Sequence, residues 1–459
     1  MDTVPSSVSI LAEKNMKLRI VVSALGALLV VKSPASAAEW PQWRGPDGQG
    51  HAQASGLPTT FSKAVNVAWK TEVPGRGWSS PVIDGQQIWL TTAIETDAKP
   101  EDVERRLKAN TGDQPLTLLE KVELRAVCVD RDTGRLLQSI LLLTAREPQW
   151  VHRLNSYASP TPVLDGDRLF AHFGALGTAA LDTRTGRLLW TNTNLVVMHE
   201  NGPGSSPVVW RDKLIFHMDG SDRQFIAALD TRTGKLAWRT DRSGEMNPRG
   251  QQRKCYGTPL VLDVSGKDQI ISPAADWVYG YDPATGKEFW KIPYGQLGFS
   301  ITPRPVAGHG MIFMSTGFGK KQMLAIKHAG VPTPEIAWRY TKGIPSMPSP
   351  LLVGNELIFV DDGGFVTCLD ARTGAELYRE RLAGNFSSSP IVADGKIYIG
   401  NREGVVYVFA PGREFRLLAK NELGSGVMAT PAAVDRALFI RTEKALFRFE
   451  DKGGTTAAN

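Results

Sequence analysis

Residues 205–240 read SSPVVWRDKLIFHMDGSDRQFIAALDTRTGKLAWRT, and their punctuation decides the fold. Ser-Ser-Pro opens a short apolar run at 207–210, and a polar turn at Arg211 and Asp212 leads to a second at 214–218. A Gly/Asp-rich loop precedes a third run at 225–229; the turn DTRTG, residues 230–234, then feeds a fourth that ends at Trp238. Four runs of strand length separated by turn residues predict a four-stranded antiparallel meander. One such sheet cannot bury both of its faces, so it requires neighbours of the same kind.

The chain supplies them. Pro81, Pro162, Pro207, Pro259, Pro303, Pro350, Pro390 and Pro431 open the units. Ser or Thr stands directly before an apolar start in seven of them, and the copy in the 160s reads SPTP. After one long gap the openings recur roughly every 45 residues, the length of one four-stranded blade. The long gap holds PEDVERRLKAN at 100–110, a Pro-led charged pattern, and residues 94–122 show no β runs, so a helical insertion is expected in blade one.

Five copies end their third strand in a related turn: DRDTG at Asp130, DTRTG at Asp182 and Asp230, DPATG at Asp282 and DARTG at Asp370. Asp can accept backbone N–H bonds within such a turn, Thr adds a second side-chain bond, and Gly takes the positive φ that closes it. Trp190, Trp238, Trp290 and Trp338 follow on the outer strand and are expected to pack between blades. The last unit, 430–450, has three runs only. An orphan run at 65–72, with Trp69 placed like Trp238, supplies the fourth. Closing a ring with one strand from each end leaves no free sheet edge. The reading is all-β: a single eight-bladed propeller over 65–450, closed by an N-terminal strand. A lead-in at 38–64 precedes it and a flexible tail at 451–459 follows. In the lead-in WPQWRGPDGQG, residues 40–50, Trp40 and Trp43 are expected to anchor the segment on the domain surface.

With 45 Gly and 29 Pro the chain is turn-rich and globular in composition. Four cations and two anions precede Ala38, so the formal charge falls from +6 to +4 without that segment. No Lys/Arg block is present, which argues against a nucleic-acid partner. Lys17 and Arg19, the apolar run at 20–31 and Ala35-Ser36-Ala37 form the three regions of a secretory signal at 1–37, with a start possible at Met16. The apolar run is too short to cross a bilayer, and no Cys near the cleavage point offers a lipid anchor. A periplasmic or secreted monomer is expected. Cys128, Cys255 and Cys368 make no disulfide framework; Cys128 and Cys368 share a register within apolar strands and read as buried small hydrophobes.

The turn-to-tryptophan pattern in DTRTGRLLW and DTRTGKLAW resembles the repeats of the pyrroloquinoline quinone (PQQ) superfamily of eight-bladed propellers. That superfamily includes quinoprotein alcohol dehydrogenases and the propeller subunit of the outer-membrane barrel assembly machinery. WPQWRGPDGQG, PGRGWSSPV, NSYASPTPV and HENGPGSSPV look like exported PQQ-like repeat proteins of the planctomycete type. The resemblance implies a fold more than a chemistry. The dehydrogenases place two adjacent cysteines over the quinone and Glu, Asn and Asp around Ca²⁺; no two cysteines here are adjacent and no calcium set is apparent. No cofactor is therefore expected, with PQQ and Ca²⁺ belonging to an alternative reading. The barrel assembly subunit is normally a lipoprotein, and its cysteine is missing.

In a propeller the segments from each outer strand to the next inner strand emerge on one face around the channel, where function is more often carried. Here they read PGRGW (Arg76, Trp78), VHRLNSY (His152, Asn155, Tyr157), MHENG (His199, Glu200, Asn201) and NPRGQQRKCY (Arg249, Arg253, Tyr256). The later segments GIPSMPS and LGSGVMA are small and nearly neutral, which predicts a polar pocket over blades one to four. Asp219 and Asp222 of DGSD have a spacing that suits a hard cation, but a Gly/Asp turn explains the same letters, and no metal is expected. The favoured function is a non-catalytic binding or scaffold propeller engaging a protein or glycan on this face. One alternative is a PQQ-dependent dehydrogenase with a divergent site. The other is a carbohydrate-processing enzyme with His152, His199, Tyr157 and Glu200 as acid, base and sugar-binding groups, and Arg76 and Arg253 on an acidic sugar carboxylate.

Overall fold

Eight four-stranded antiparallel sheets follow one another around a central axis in a computed structural model that describes residues 39–108, 115–264, 266–295 and 298–453. Residues 1–37, read from the sequence as a secretory signal, and the end of the tail, 454–459, lie outside the described residues. The unit quoted above forms blade three from strands Val208–Trp210, Lys213–Asp219, Gln224–Asp230 and Leu236–Asp241, in that order from the axis outward. Blade eight takes Ala432–Val434, Ala437–Arg441 and Ala445–Glu450 from the C-terminal end and Val67–Glu72 from the N-terminal end. The closing pair is antiparallel, with Val67 opposite Phe449 and Glu72 opposite Ala445.

Two sequence-level details change. Blade five starts its inner strand at Val306, so its opening proline is Pro305 rather than Pro303, and Arg304 occupies the place that Ser or Thr holds in the other blades. The TPRP sequence contains two candidate prolines, and only strand pairing chooses between them. Residues 94–122 do contain the helix, Pro100–Leu107, but β structure flanks it. The second and third strands of blade one run on as Gln87–Asp97 and Leu119–Asp130, because the apolar alternation continues beyond the blade body.

The Ser/Thr-Pro openings form a belt around the channel. Proline holds its predecessor extended, leaving that residue's N–H and side chain free to point sideways. Ser80 donates its N–H to the Thr161 hydroxyl, Thr161 to Ser206 and Ser206 to Thr258, each at 2.9–3.0 Å. The belt resumes from Arg304 to Ser349, then Ser389 and Thr430, and closes on Ser80. It breaks only where Thr258 meets Arg304, a side chain with no acceptor.

At the opposite end the Asp-x-x-Thr-Gly turns perform the packing. In blade three Asp230 Oδ1 accepts the N–H and the hydroxyl of Thr233 at 2.9 and 2.8 Å, and Gly234 closes the turn at φ +67°. A Cβ on Gly234 would lie 2.4 Å from the Trp190 ring of blade two, whose Nε1–H donates to the Thr231 carbonyl at 3.1 Å. Trp69, Trp238 and Trp338 repeat this on the next blade's turn, donating to Arg131, Pro283 and Ala371. Trp290 differs: blade five has no such turn, and its Nε1–H donates to Gln269 of its own blade. Apolar side chains fill the seams, as where Ile215, Ile226 and Ala228 of blade three meet Ile270, Tyr279 and Tyr281 of blade four. Full burial of each large side chain contributes about 1.5–3 kcal/mol.

The lead-in does not lie on the domain surface. Trp40 is buried and bridges Ile83 at the inner-strand end of blade one, while His51 bridges Val392 in blade seven. Between them Arg44 enters the interior and donates to the carbonyls of Pro350 and Pro390. The Trp43 carbonyl accepts from Arg304 at 3.0 Å. Residues 40–52 thus close the channel at the turn end.

Candidate functional site

The closed channel opens at the other end into a funnel of about 960 Å³, within the range of small-molecule sites. Ser80, Thr161, Ser206 and Thr430 of the belt lie at its base with Trp43 of the lead-in, whose indole N–H donates to the Thr430 hydroxyl at 3.1 Å. The wall comes from segments joining successive blades and from loops between second and third strands, which emerge at the same end.

Of the eleven residues singled out in the sequence, six line the funnel: Trp78, His152, Asn155, Asn201, Arg249 and Tyr256. Trp78 is oriented by its Nε1–H, which donates to the Leu154 carbonyl at 3.1 Å. Asn155 ties two connections together, donating to the carbonyls of Asn201 and Pro203 at 2.8 and 3.0 Å. His152 accepts the Leu154 N–H on Nδ1, and burial, followed by the charges of Arg153 and Arg402, moves its pKa down, so the neutral ring carries its proton on Nε2. The Tyr256 hydroxyl donates to the His199 carbonyl. Asn201 Oδ1 is buried and has no donor among the described residues.

The other five do not line it. Tyr157 is buried and donates to the Gln149 carbonyl at 2.6 Å. His199 accepts the Ala175 N–H on Nε2, and burial pulls its pKa down to about 4. Glu200 accepts from Ser221 at 2.8 Å. Arg76 donates to the Arg153 carbonyl and Arg253 to the carbonyls of Asn247 and Pro248. The acid, base and sugar-binding groups of the carbohydrate-enzyme reading are therefore not brought together: His152 alone of that set reaches the funnel.

The pocket is also not confined to blades one to four. Lys321, Asp362 and Arg402, from second-to-third-strand loops, complete the wall over blades five to seven, with Met347 and Met428 between them. Asp362 is paired with Lys321 at 3.2 Å and accepts the N–H groups of Ser346 and Met347. Arg402 donates to the Ser387 hydroxyl at 2.7 Å and forms no ion pair with a carboxylate among the described residues. Lys254, which the sequence reading passed over for its neighbour Arg253, lines the funnel at 2% exposure. Its ammonium has no hydrogen-bond or ion-pair partner among the described residues, and burial pulls it down to about 8 against the opposing effect of Glu200. Cations thus outnumber the wall's carboxylate, Asp362, which is already engaged.

That donor set does not fit the quinone with its calcium. Ca²⁺ needs several oxygen ligands of negative or carbonyl character, and the funnel wall presents Asp362, held by Lys321, among unmatched cations. Cys128, Cys255 and Cys368 are free, buried and in separate blades or connections. Asp219 and Asp222 make no cation site either. Asp219 is locked in a fully buried two-pronged pair with Arg242 at 3.0 and 2.7 Å, while Asp222 accepts the Met198 N–H. His217, Asp219 and Cys255 approach one another within 4.8 Å, but Arg242 stands beside them and both His217 nitrogens are occupied by Gly257 and Ser272.

The sequence matches the family model described as outer membrane protein assembly factor BamB over residues 64–194, 124–319 and 222–458. Among curated proteins none matches it. The fold is similar to BamB from Moraxella catarrhalis, with TM-score 0.52 at 13% identity over 73% of this chain and 99% of that one. It is also similar to the quinohemoprotein alcohol dehydrogenase from Comamonas testosteroni, with TM-score 0.62 at 11% identity over 93% and 82%. A europium-containing methanol dehydrogenase gives 0.51 at 12% over 89% and 90%. At such identities the likeness concerns the fold alone. No helix among the described residues is long and apolar enough to cross a membrane. With overlapping family matches along nearly the whole ring and eight blades of the expected build, the chain belongs to the PQQ-like β-propeller repeat family.

Proposed function

We propose that this protein is an exported, non-catalytic binding propeller that holds its ligand in the axial funnel. The observation that carries this reading is a funnel closed at its base by Trp43 and walled by connections from around the ring, whose polar groups include unmatched ones. A scaffold that used only its rim would have no need of an axial funnel of about 960 Å³ closed at its base. An acid–base enzyme would need paired titratable groups within reach of one substrate atom. His152 is neutral and isolated from His199 and Glu200, and the carboxylate Asp362 is fully engaged. Export rests on the basic, apolar and small-residue regions of residues 17–37.

The test is thermal stabilisation of the mature chain by a panel of neutral and acidic glycans, peptides and PQQ with Ca²⁺. It is repeated on Met428→Trp, which narrows the funnel from its wall. Saturable stabilisation lost in Met428→Trp supports the funnel. PQQ-dependent dye reduction with an alcohol would replace this reading by the dehydrogenase. N-terminal sequencing of protein recovered from cells should find a start near Ala38.

A further inference from the structure

We infer that the ligand is an acidic sugar, its carboxylate received by Lys254 and one of its ring hydroxyls by Asn201; this rests on the funnel being the ligand site. Two unsatisfied groups of opposite need stand on adjacent connections. Lys254 is 2% exposed, and its ammonium is without a partner among the described residues. Removing an ammonium from water is costly unless an anion meets it. Glu200 is the nearest candidate by charge, yet its carboxylate is committed to the Ser221 hydroxyl and forms no ion pair with Lys254. Asn201 Oδ1 is a buried acceptor lacking a donor among the described residues. An unpaired buried acceptor is an exception that calls for a partner.

The group that satisfies both carries an oxyanion and an O–H on one small frame. Tyr256 connects the two positions: it is two residues from Lys254, and its hydroxyl donates to the His199 carbonyl and meets the Asn201 side-chain amide, leaving Oδ1 as the free end of that amide. The remaining wall suits a ring with an apolar face. Trp43 and Trp78 have their N–H edges fixed to Thr430 and Leu154, leaving indole surface toward the funnel. Aromatic surface beside amides and a buried cation is the chemistry of a carboxylated sugar. A neutral sugar leaves Lys254 unmatched, and an acidic peptide offers no ring to Trp43 and Trp78.

The experiment titrates the full mature chain with tri-galacturonate, a neutral galactose trisaccharide and a hexaglutamate peptide, following tryptophan fluorescence and calorimetry. The trigalacturonate is expected to bind at least tenfold more tightly than the neutral sugar. Lys254→Met should lose at least tenfold for the acidic sugar alone, with an undiminished melting temperature, and Asn201→Leu should lose a smaller factor. Above pH 8 wild-type affinity should fall about tenfold per pH unit as the ammonium loses its proton. Equal binding of acidic and neutral sugars, unchanged in Lys254→Met but lost in Met428→Trp, overturns the inference and leaves the funnel site standing. Acidic-sugar binding that survives Met428→Trp lies elsewhere and sinks the funnel reading itself. Preference for hexaglutamate, or no binding of any of the three, overturns the inference.

Discussion

At the turn end of the propeller, Asp130, Asp182, Asp230 and Asp370 each accept a backbone N–H from the Thr three residues on, and Trp69, Trp190 and Trp338 of the preceding blades rest on Gly134, Gly234 and Gly374, while Gln138 and Ile140 meet Gly186. At the funnel end, His152, Asn201, Lys254 and Arg402 share neither spacing nor partners, and two of them have unmatched polar atoms or charge. The same strands pass through both ends, so geometry alone does not impose the difference. Where Asp, Thr and Gly of a turn satisfy one another, one solution recurs in several blades because it serves the ring. At the funnel end each blade differs, and in the proposed reading the unmatched Lys254 and Asn201 mark the ligand site.

The sharpest way to break that contrast is to load the repeated end. Gly234→Val should cost roughly 3 kcal/mol in denaturant unfolding, combining a β-branched residue at positive φ with a clash against Trp190. Gly166→Ala is the control: it has positive φ too but open space around it, and should cost only about 1 kcal/mol. Equal losses would show that the tryptophan contact contributes nothing.

The funnel end should respond with the opposite sign. Lys254→Met removes a buried, unpaired charge and is expected to stabilise the free protein by about 2 kcal/mol at pH 7, while abolishing its binding role. The folded-state amine lies near 8, below its ordinary range, so this gain should vanish as the pH rises past that range. A destabilised Lys254→Met would mean that the ammonium has a partner.

How far each end was legible follows from the same division. The turns, tryptophans and closing strand repeat, so their letters could be compared copy with copy, and eight blades followed. The opening of blade five was set at Pro303 instead of Pro305 because TPRP offers two prolines and only pairing with Met311–Ser315 fixes the strand start. Lys254 was missed beside Arg253 because an irregular segment has no period from which to tell which of two neighbours faces inward. Arg402 and Asp362 sit in tight loops between strands, where charged residues ordinarily signal a turn.

A smaller effect concerns acid. His172 is fully buried, stacked on Phe216 at 3.9 Å between ring centroids, and burial holds its pKa down to about 3. Its unfolded-state value is near 6.5, so the unfolded chain takes up the proton first as pH falls. The stability of the neutral form is complete above that value and is lost progressively toward the folded one. His172→Phe should flatten the pH dependence of unfolding by about 1.4 kcal/mol per pH unit between pH 6 and 4. An unchanged slope would place the proton elsewhere.

Competitive acylation of amines on the folded protein, read lysine by lysine by mass spectrometry across pH 6–11, tests the unmatched funnel end most directly. Lys254 should react with an apparent pKa near 8, well below the exposed lysines, and trigalacturonate should protect it. If Lys254 titrates with the other lysines, or reacts equally with and without the acidic sugar, the claim that the funnel holds an unsatisfied cation for its ligand is contradicted.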